Sequence, residues 1–335
     1  MQRFVRDLNT APTGLGFGSS ELMGGITRRD SIALLETAFG AGIRHFDTAP
    51  SYGYGEAERV LGATFASRRD QITITTKYGI LPPRNRNFLG IARRLLLPVV
   101  KAVPSLKSRI RSRVPAAGGH PARARFTPEE LRASIDASRA ALRTDYIDIL
   151  LLHEAIPSDL TDELLAELER SVAAGKIRHF GIGSEAPAAA AIYRADRRFC
   201  PVLQFEWSVL SGARPAFPGS FVITHRSLSS DFIQLRAWLG ANPAIARGWA
   251  RELDLDVTST AVLSGLMLAA AREANPDGMT LFSSRRPDNI EANVRVMRDK
   301  ASLQRGAAFA ALVERDAPAT LMRQSPEVER KAATG

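Results

Sequence analysis

The sequence predicts an α/β protein folded as a (β/α)8 TIM barrel, in one domain over residues 1–335. About eight short apolar runs alternate strictly with amphipathic stretches, which indicates a parallel sheet with helices between its strands. The length of 335 residues and the 45% hydrophobic content would allow two domains, but α/β barrels of this length are routinely one.

The third observation separates a closed barrel from an open, doubly wound sheet. Polar residues directly follow six of the apolar runs: Asp47, Lys77, His153, Ser184, Gln204 and Ser283. In a barrel the carboxyl ends of all strands converge on one mouth, whereas in an open sheet only the strands at the switch point meet a ligand. The polar ends therefore favour the barrel.

The individual elements follow from hydrophobic periodicity. Short β-branched or apolar runs predict eight strands, at 14–18, 43–47, 72–77, 146–153, 177–184, 201–207, 220–225 and 279–284. Apolar positions three and four residues apart predict helices at 28–42, 55–68, 127–142, 161–175, 186–195, 258–274 and 286–298. Thr127 and the stretch from Ser158 to Asp162 are typical helix starts, and Gly42 and Gly175 are typical helix ends.

Two segments depart from this alternation. Residues 79–126, after the third strand, carry eleven basic residues and no acidic one, so that without them the net charge of +10 would be −1. The segment is predicted to be an insertion or lid loop at the mouth of the barrel. Residues 300–335 are predicted to form one more helix and a polar tail.

Four residues at the predicted mouth suit proton transfer to a carbonyl oxygen. Tyr52 is a phenol five residues after Asp47, and its pKa near 10 must be lowered by a neighbouring cation such as Lys77 for it to act at neutral pH. Asp47 can hold the Lys77 ammonium, and His153 can hydrogen-bond the substrate oxygen. Taken singly, Asp47 could cap a turn and His153 could be structural, but together the four predict acid–base chemistry.

These residues lie in motifs that resemble the aldo-keto reductase superfamily. "FDTAPSYGYGEAERVLG" is similar to the Asp-Thr-Ala…Tyr-Gly…Gly-Glu signature of the family, "ITTKYG" to the stretch with its lysine, and "YIDILLLH" to the stretch with its histidine. The resemblance implies a barrel that binds an extended nicotinamide cofactor, with Tyr52 as general acid/base, Asp47 and Lys77 tuning it, and His153 orienting the carbonyl. It implies a small-molecule carbonyl or alcohol substrate, with a lean toward sugars and lactols.

The same resemblance implies the cofactor contacts. Ser184 and Gln204 match residues that contact the nicotinamide amide, and "LFSSRRPDNIEANV" resembles the phosphate-binding segment after the last strand. The expected cofactor is NADP(H) or NAD(H), with a slight preference for NADP. The candidate phosphate contacts are Ser283, Ser284, Arg285, Arg286, Asn289 and Asn293.

Two positions depart from the pattern of the family. Asn289 and Ile290 stand where many members carry a basic residue for the 2′-phosphate, which leaves Arg285 or Arg286 as substitutes. His225 stands where a tyrosine would stack on the nicotinamide, and Arg226 beside it could pair with pyrophosphate or an acidic substrate. The departure at His225 and Arg226, together with the basic insertion, motivates an alternative, a catalytically weak regulatory or scaffold protein that binds the cofactor on the same barrel. A Ser-Tyr-Lys dehydrogenase on an open sheet is disfavoured, because Tyr52 and Lys77 lie on different elements.

The remaining expectations concern partners and location. No metal site is predicted, because His45, His120, His179 and His225 lack metal-ligand spacing. The basic insertion contains a single aromatic residue, Phe88, which argues against nucleic acid, whereas residues 91–103 mix basic and apolar residues as elements at membrane surfaces do. A single cysteine, Cys200, and an N-terminus without an apolar core predict a cytoplasmic protein. The sequence does not predict an oligomeric state.

Overall fold

The barrel is closed in the computed structural model, which describes residues 14–23, 25–82 and 122–322. Its eight strands pair in chain order, every neighbouring pair is parallel, and β1 closes the ring against β8. The predicted (β/α)8 barrel is confirmed. The strands are β1 (Leu15–Gly18), β2 (His45–Asp47), β3 (Thr73–Tyr78), β4 (Ile147–His153), β5 (Ile177–Gly183), β6 (Val202–Glu206), β7 (Phe221–His225) and β8 (Met279–Phe282).

Helices surround the strands. Within the described residues they are α1 (Arg28–Gly40), α2 (Ala57–Phe65), α3 (Pro128–Leu142), α4 (Asp162–Ala173), α5 (Ala186–Ala195), α6 (Ser230–Ala241), α7 (Pro243–Leu253), α8 (Thr260–Glu273), α9 (Pro287–Arg298) and α10 (Lys300–Asp316). Thr127 caps α3 and Thr161 caps α4 through their side chains, as the sequence predicts. Helices α6 and α7 lie between β7 and α8, where no helix is predicted.

The core has the two layers expected of a barrel. Along β4, Ile149 and Leu151 belong to a cluster with residues of β6, β7 and β8, which fills the barrel interior. Leu150 and Leu152, on the alternate face, belong to the cluster that the surrounding helices share with the strands. This alternation follows from the two-residue period of a strand, and it leaves the strand ends free to carry polar groups.

The predicted basic insertion lies mostly outside the described residues, which resume at 122. Its two ends are held together, since Ile80 and Arg123 form an antiparallel bridge and Leu81 donates a backbone hydrogen bond to Ala122. The final 13 residues of the predicted tail, 323–335, also lie outside. Among the helices of the described ranges, none combines the length and apolar character needed to cross a membrane.

Candidate active site

A cavity of about 820 Å³ opens at the carboxyl ends of the strands. Each of the eight strands or the loop after it contributes to the lining. This is where a (β/α)8 barrel collects polar groups from distant parts of the chain, because all parallel strands end at the same rim. Of the predicted site residues, the lining includes Asp47, Tyr52, Lys77, His153, Ser184, Gln204, His225, Ser283, Ser284 and Arg285.

A buried chain of charged and polar groups forms the floor. The Lys77 ammonium donates to a carboxylate oxygen of Asp47 at 2.6 Å and to the carbonyl oxygen of Thr48 at 2.9 Å. The second carboxylate oxygen of Asp47 accepts a hydrogen bond from the Gln204 amide at 2.7 Å. Lys77 and Asp47 are 2% and 4% exposed. A pair this deeply buried is tolerated because both ions have partners and additional hydrogen bonds.

Tyr52 lies on a 3-10 turn, Tyr52–Gly55, directly after β2. Gly53 has φ +56°, and a Cβ there would lie 2.7 Å from the carbonyl oxygen of Leu22. Glycine is therefore needed for the chain to turn this closely under the loop after β1. The turn places the Tyr52 ring 4.9 Å from the Lys77 ammonium and 6.3 Å from the His153 ring, in an edge-to-face arrangement.

Burial dominates the acid–base balance of Tyr52. It raises the pKa of the phenol above 10, while the Lys77 ammonium acts in the lowering direction and Asp47 in the raising one. Burial also disfavours the charged form of Lys77, but Asp47 and Tyr52 outweigh it and raise its pKa. The expected influence of Lys77 on Tyr52 is present, but the expected net lowering is wrong in this site. The phenol is protonated at neutral pH.

The imidazoles of His153 and His225 line the same cavity as Tyr52 and Lys77, and both are neutral. Burial, followed by the Lys77 charge and His225, lowers the pKa of His153 to about 3. Burial, together with Lys77 and Arg226, lowers the pKa of His225 to about 4. Among the described residues, the buried Nδ1 of His153 has no hydrogen-bond partner. His45, by contrast, has both ring nitrogens near threonine hydroxyls, at 2.9 and 3.2 Å, as in a structural role.

The predicted phosphate contacts divide into two groups. Ser283, Ser284 and Arg285 line the cavity, and the Ser283 hydroxyl donates to the Gly18 carbonyl oxygen at 3.0 Å. The structure does not bring the other three to the lining. Asn289 and Arg286 are exposed, and Asn293 is buried on α9. The Arg286 backbone N–H instead donates to the Ser284 hydroxyl.

Four carboxylates at the rim of the cavity are not among the predicted site residues. They are Glu21 after β1, Glu154 after β4, Glu185 after β5 and Glu206 at the end of β6. Partial burial and the charges of Glu185 and Glu206 raise the pKa of Glu154. Glu154, Glu185 and Glu206 each lie within two residues after a predicted polar strand end. This adjacency is the feature of the sequence that could have identified them. Within the described residues, no three His, Cys, Asp or Glu side chains are arranged so that they could hold one metal ion together.

The comparisons with known proteins agree with this geometry. The model of the aldo/keto reductase family matches residues 14–216. Norsolorinic acid reductase of Emericella nidulans is 33% identical over 215 residues, which is 60% of this chain and 48% of that protein. D-threo-aldose 1-dehydrogenase of Pseudomonas sp. is 35% identical over 178 residues, 51% of this chain and 49% of that protein. The chain thus spans about half the length of these curated relatives.

A shorter match and a solved structure add to these. Pyridoxal 4-dehydrogenase of Microbacterium luteolum is 42% identical over 77 residues, 22% of each protein. The structure of an aldo-keto reductase from Klebsiella pneumoniae in complex with NADPH superimposes with a TM-score of 0.59 at 19% identity. That alignment covers 93% of this chain and 95% of the other, and at this identity it shows the shared fold alone.

Proposed function

The chain belongs to the aldo/keto reductase family, and from that premise we propose that it is an NAD(P)-dependent oxidoreductase that interconverts a carbonyl group and an alcohol. One observation carries the proposal. Tyr52, Lys77, Asp47 and His153, which lie far apart along the sequence, line one cavity, with the ammonium and carboxylate 2.6 Å apart. Such a set can protonate an oxygen on which negative charge develops.

We propose a separate role for each of the four side chains. The protonated phenol of Tyr52 donates its proton to the carbonyl oxygen in the reducing direction and takes it back in the oxidising direction. The Lys77 ammonium stabilises the resulting phenolate, and Asp47 keeps that ammonium charged and in place. The neutral imidazole of His153 donates a hydrogen bond to the carbonyl oxygen and orients it.

The lining fits a nicotinamide dinucleotide. The bound cofactor would supply or accept the hydride at its nicotinamide ring. Ser184 and Gln204 offer polar groups to the carboxamide, and His225 offers a flat face to the ring. Arg226, directly after β7, and Arg285, after β8, supply charged donors of the kind that phosphates need. The start of α6, after Ser229 at the cavity lining, adds a helix N-terminus.

We propose NADP(H) or NAD(H) as the cofactor, with a slight preference for NADP(H) because Arg285 lines the cavity after β8. A small substrate rich in hydroxyl groups, such as a sugar or lactol, suits the carboxylates of Glu154 and Glu185, which accept hydrogen bonds. Relatives named for an aldose and for pyridoxal support small oxygenated substrates. The single cysteine, Cys200, supports a cytoplasmic location.

The test is a turnover measurement. Oxidation of NADPH and NADH is followed with a panel of aldehydes, ketones and sugars, and the reverse reaction with the corresponding alcohols and lactols. Turnover with a member of the panel is the expected result. Tight cofactor binding without turnover, in both directions, would favour the regulatory or scaffold alternative that the His225 and Arg226 departures motivate.

A further inference from the structure

Glu21 and Arg285 form an ion pair at the rim of the cavity, and both line it. Glu21 lies on the loop after β1 and Arg285 on the loop after β8. These strands are neighbours in the closed barrel, and the hydrogen bond from Ser283 to Gly18 joins their ends. The pair therefore connects the loops after the first and last strands, beside Ser283 and Ser284.

Among the described residues, Arg285 is the cation that lines the cavity after β8, where it can contact a bound phosphate. Arg286 does not line the cavity, and Asn289, also outside the lining, is uncharged. Lys77 is buried and held by Asp47, and Arg226, directly after β7, forms an ion pair with Glu206 at 3.5 Å. The 2′-phosphate is the one chemical difference between NADP(H) and NAD(H). Within the ranges that the structure describes, Arg285 is therefore the cavity-lining arginine after β8 that is available to distinguish the two cofactors.

Glu21 occupies the guanidinium that this phosphate would need. A carboxylate in contact with an arginine takes up the bidentate face that binds phosphate, and its negative charge also repels the incoming group. The side chain of Arg285 is 52% exposed and that of Glu21 is 42% exposed, so that breaking the ion pair costs little free energy. Arg285 remains able to bind a phosphate, but against competition.

Resting on the proposed function, we infer that Glu21 is a specificity-determining residue. It competes with the 2′-phosphate of NADP(H) for Arg285 and so reduces the preference of the protein for NADP(H) over NAD(H). Removal of its charge should favour NADP(H) selectively, because NAD(H) has no group that needs Arg285. Cofactor selection would then be set jointly by the loops after β1 and β8.

The experiment measures binding of NADPH and NADH by isothermal titration calorimetry, without substrate. Glu21→Gln should tighten NADPH binding about two- to fivefold, as expected for release of a half-exposed cation, and leave NADH binding nearly unchanged. Glu36→Gln is the matched control. Glu36 pairs with Arg68 on the outside of the barrel and is 43% exposed, and its substitution should change neither affinity.

Three results would overturn the inference. Equal tightening for both cofactors would place Arg285 at a phosphate that they share, and an unchanged NADPH affinity would remove Glu21 from selection. In an Arg285→Ala background the effect of Glu21→Gln on NADPH affinity should disappear. If the effect persists, Glu21 repels the phosphate directly and does not compete with it for Arg285. If the wild-type protein binds neither cofactor, the proposed function itself fails, and this outcome is distinct from the other three.

Discussion

At the scale of single residues, Tyr52 is held between opposing influences. Burial keeps its phenol protonated, while the Lys77 ammonium 4.9 Å from its ring favours the phenolate. The proton is therefore present at neutral pH, and the charge left after its transfer is compensated. A group with this balance can serve both directions of a reversible reaction.

Substitution of Tyr52 by phenylalanine should remove the proton donor and little else. We expect kcat to fall about 10²- to 10⁴-fold, the usual contribution of general acid–base catalysis, with cofactor affinity nearly unchanged. Steady-state kinetics and cofactor titration measure the two quantities. Tyr54→Phe is the control, since Tyr54 is 49% exposed and outside the cavity lining. Equal turnover by Tyr52→Phe and the wild type would exclude Tyr52 from the proposed role.

The Lys77–Asp47 pair should matter for stability as well as for chemistry. Lys77→Met leaves the Asp47 carboxylate buried without its cation, so we expect the free energy of unfolding to fall by about 3–5 kcal/mol. Addition of Asp47→Asn should restore part of the loss. Lys176→Met, at a half-exposed pair with Asp136, should cost under about 1 kcal/mol. Urea unfolding gives all of these values, and a loss at Lys77 no larger than at Lys176 would contradict the argument.

Residues at strand ends were accessible from the sequence because their placement has a physical rule. Asp47, Lys77 and His153 each end an apolar run, and the parallel strands bring those ends to one rim. Glu21 obeys no such rule, since a carboxylate in a loop is usually solvated and its direction depends on the backbone of the turn. The net pKa of Tyr52 was also beyond the sequence, because it depends on burial.

At the scale of elements, α2 and α3 approach closely at Gly62. A Cβ on this residue would lie 2.4 Å from the carbonyl carbon of Leu142, at the end of α3. The obstacle is backbone, which cannot rotate away as a side chain can. The contact fixes α2, the helix that follows the Tyr52 turn, against the helix that precedes β4. Local packing on the outside of the barrel thus supports the position of site residues.

Gly62→Ala should therefore destabilise the protein by about 1–3 kcal/mol, the usual cost of overpacking. The same substitution at Gly248, inside α7, meets no atom within 4 Å and should stabilise by about 0.5–1 kcal/mol, because alanine is the better helix former. Thermal or urea unfolding of the two variants gives the signs. Two shifts in the same direction would refute the close-packing argument.

Helices α6 and α7 are not predicted by the alternation of strands and helices. The alternation rule expects one helix between successive strands, but three helices, α6, α7 and α8, lie between β7 and β8. Helix α6 ends at Ala241 and α7 begins at Pro243, and Leu235, Leu239, Ala246 and Trp249 join both helices to a third apolar cluster. These residues recur at a helical spacing, but strict strand–helix alternation has no place for two further helices after β7.

At the scale of the whole molecule, three buried imidazoles couple folding to pH. Burial lowers the pKa of His45 to about 4, of His153 to about 3 and of His225 to about 4, all below the ordinary value of 6.5. The unfolded chain therefore binds more protons than the folded one between about pH 4 and 6.5. Stability should be complete above pH 6.5 and fall as the pH decreases through this window. Buried Glu58, whose pKa burial raises, acts in the opposite direction.

His225→Gln isolates one histidine from this balance, because Glu58 and the other two imidazoles remain. Between pH 7 and pH 5, one histidine with a folded pKa of about 4 should account for up to roughly 2 kcal/mol of lost stability. The variant should lose that much less than the wild type over the same interval, whatever its absolute stability. Urea unfolding at the two pH values measures the difference. Because only the change with pH is compared, equal losses in the two proteins would mean that His225 takes up a proton in the folded barrel as readily as in the unfolded chain.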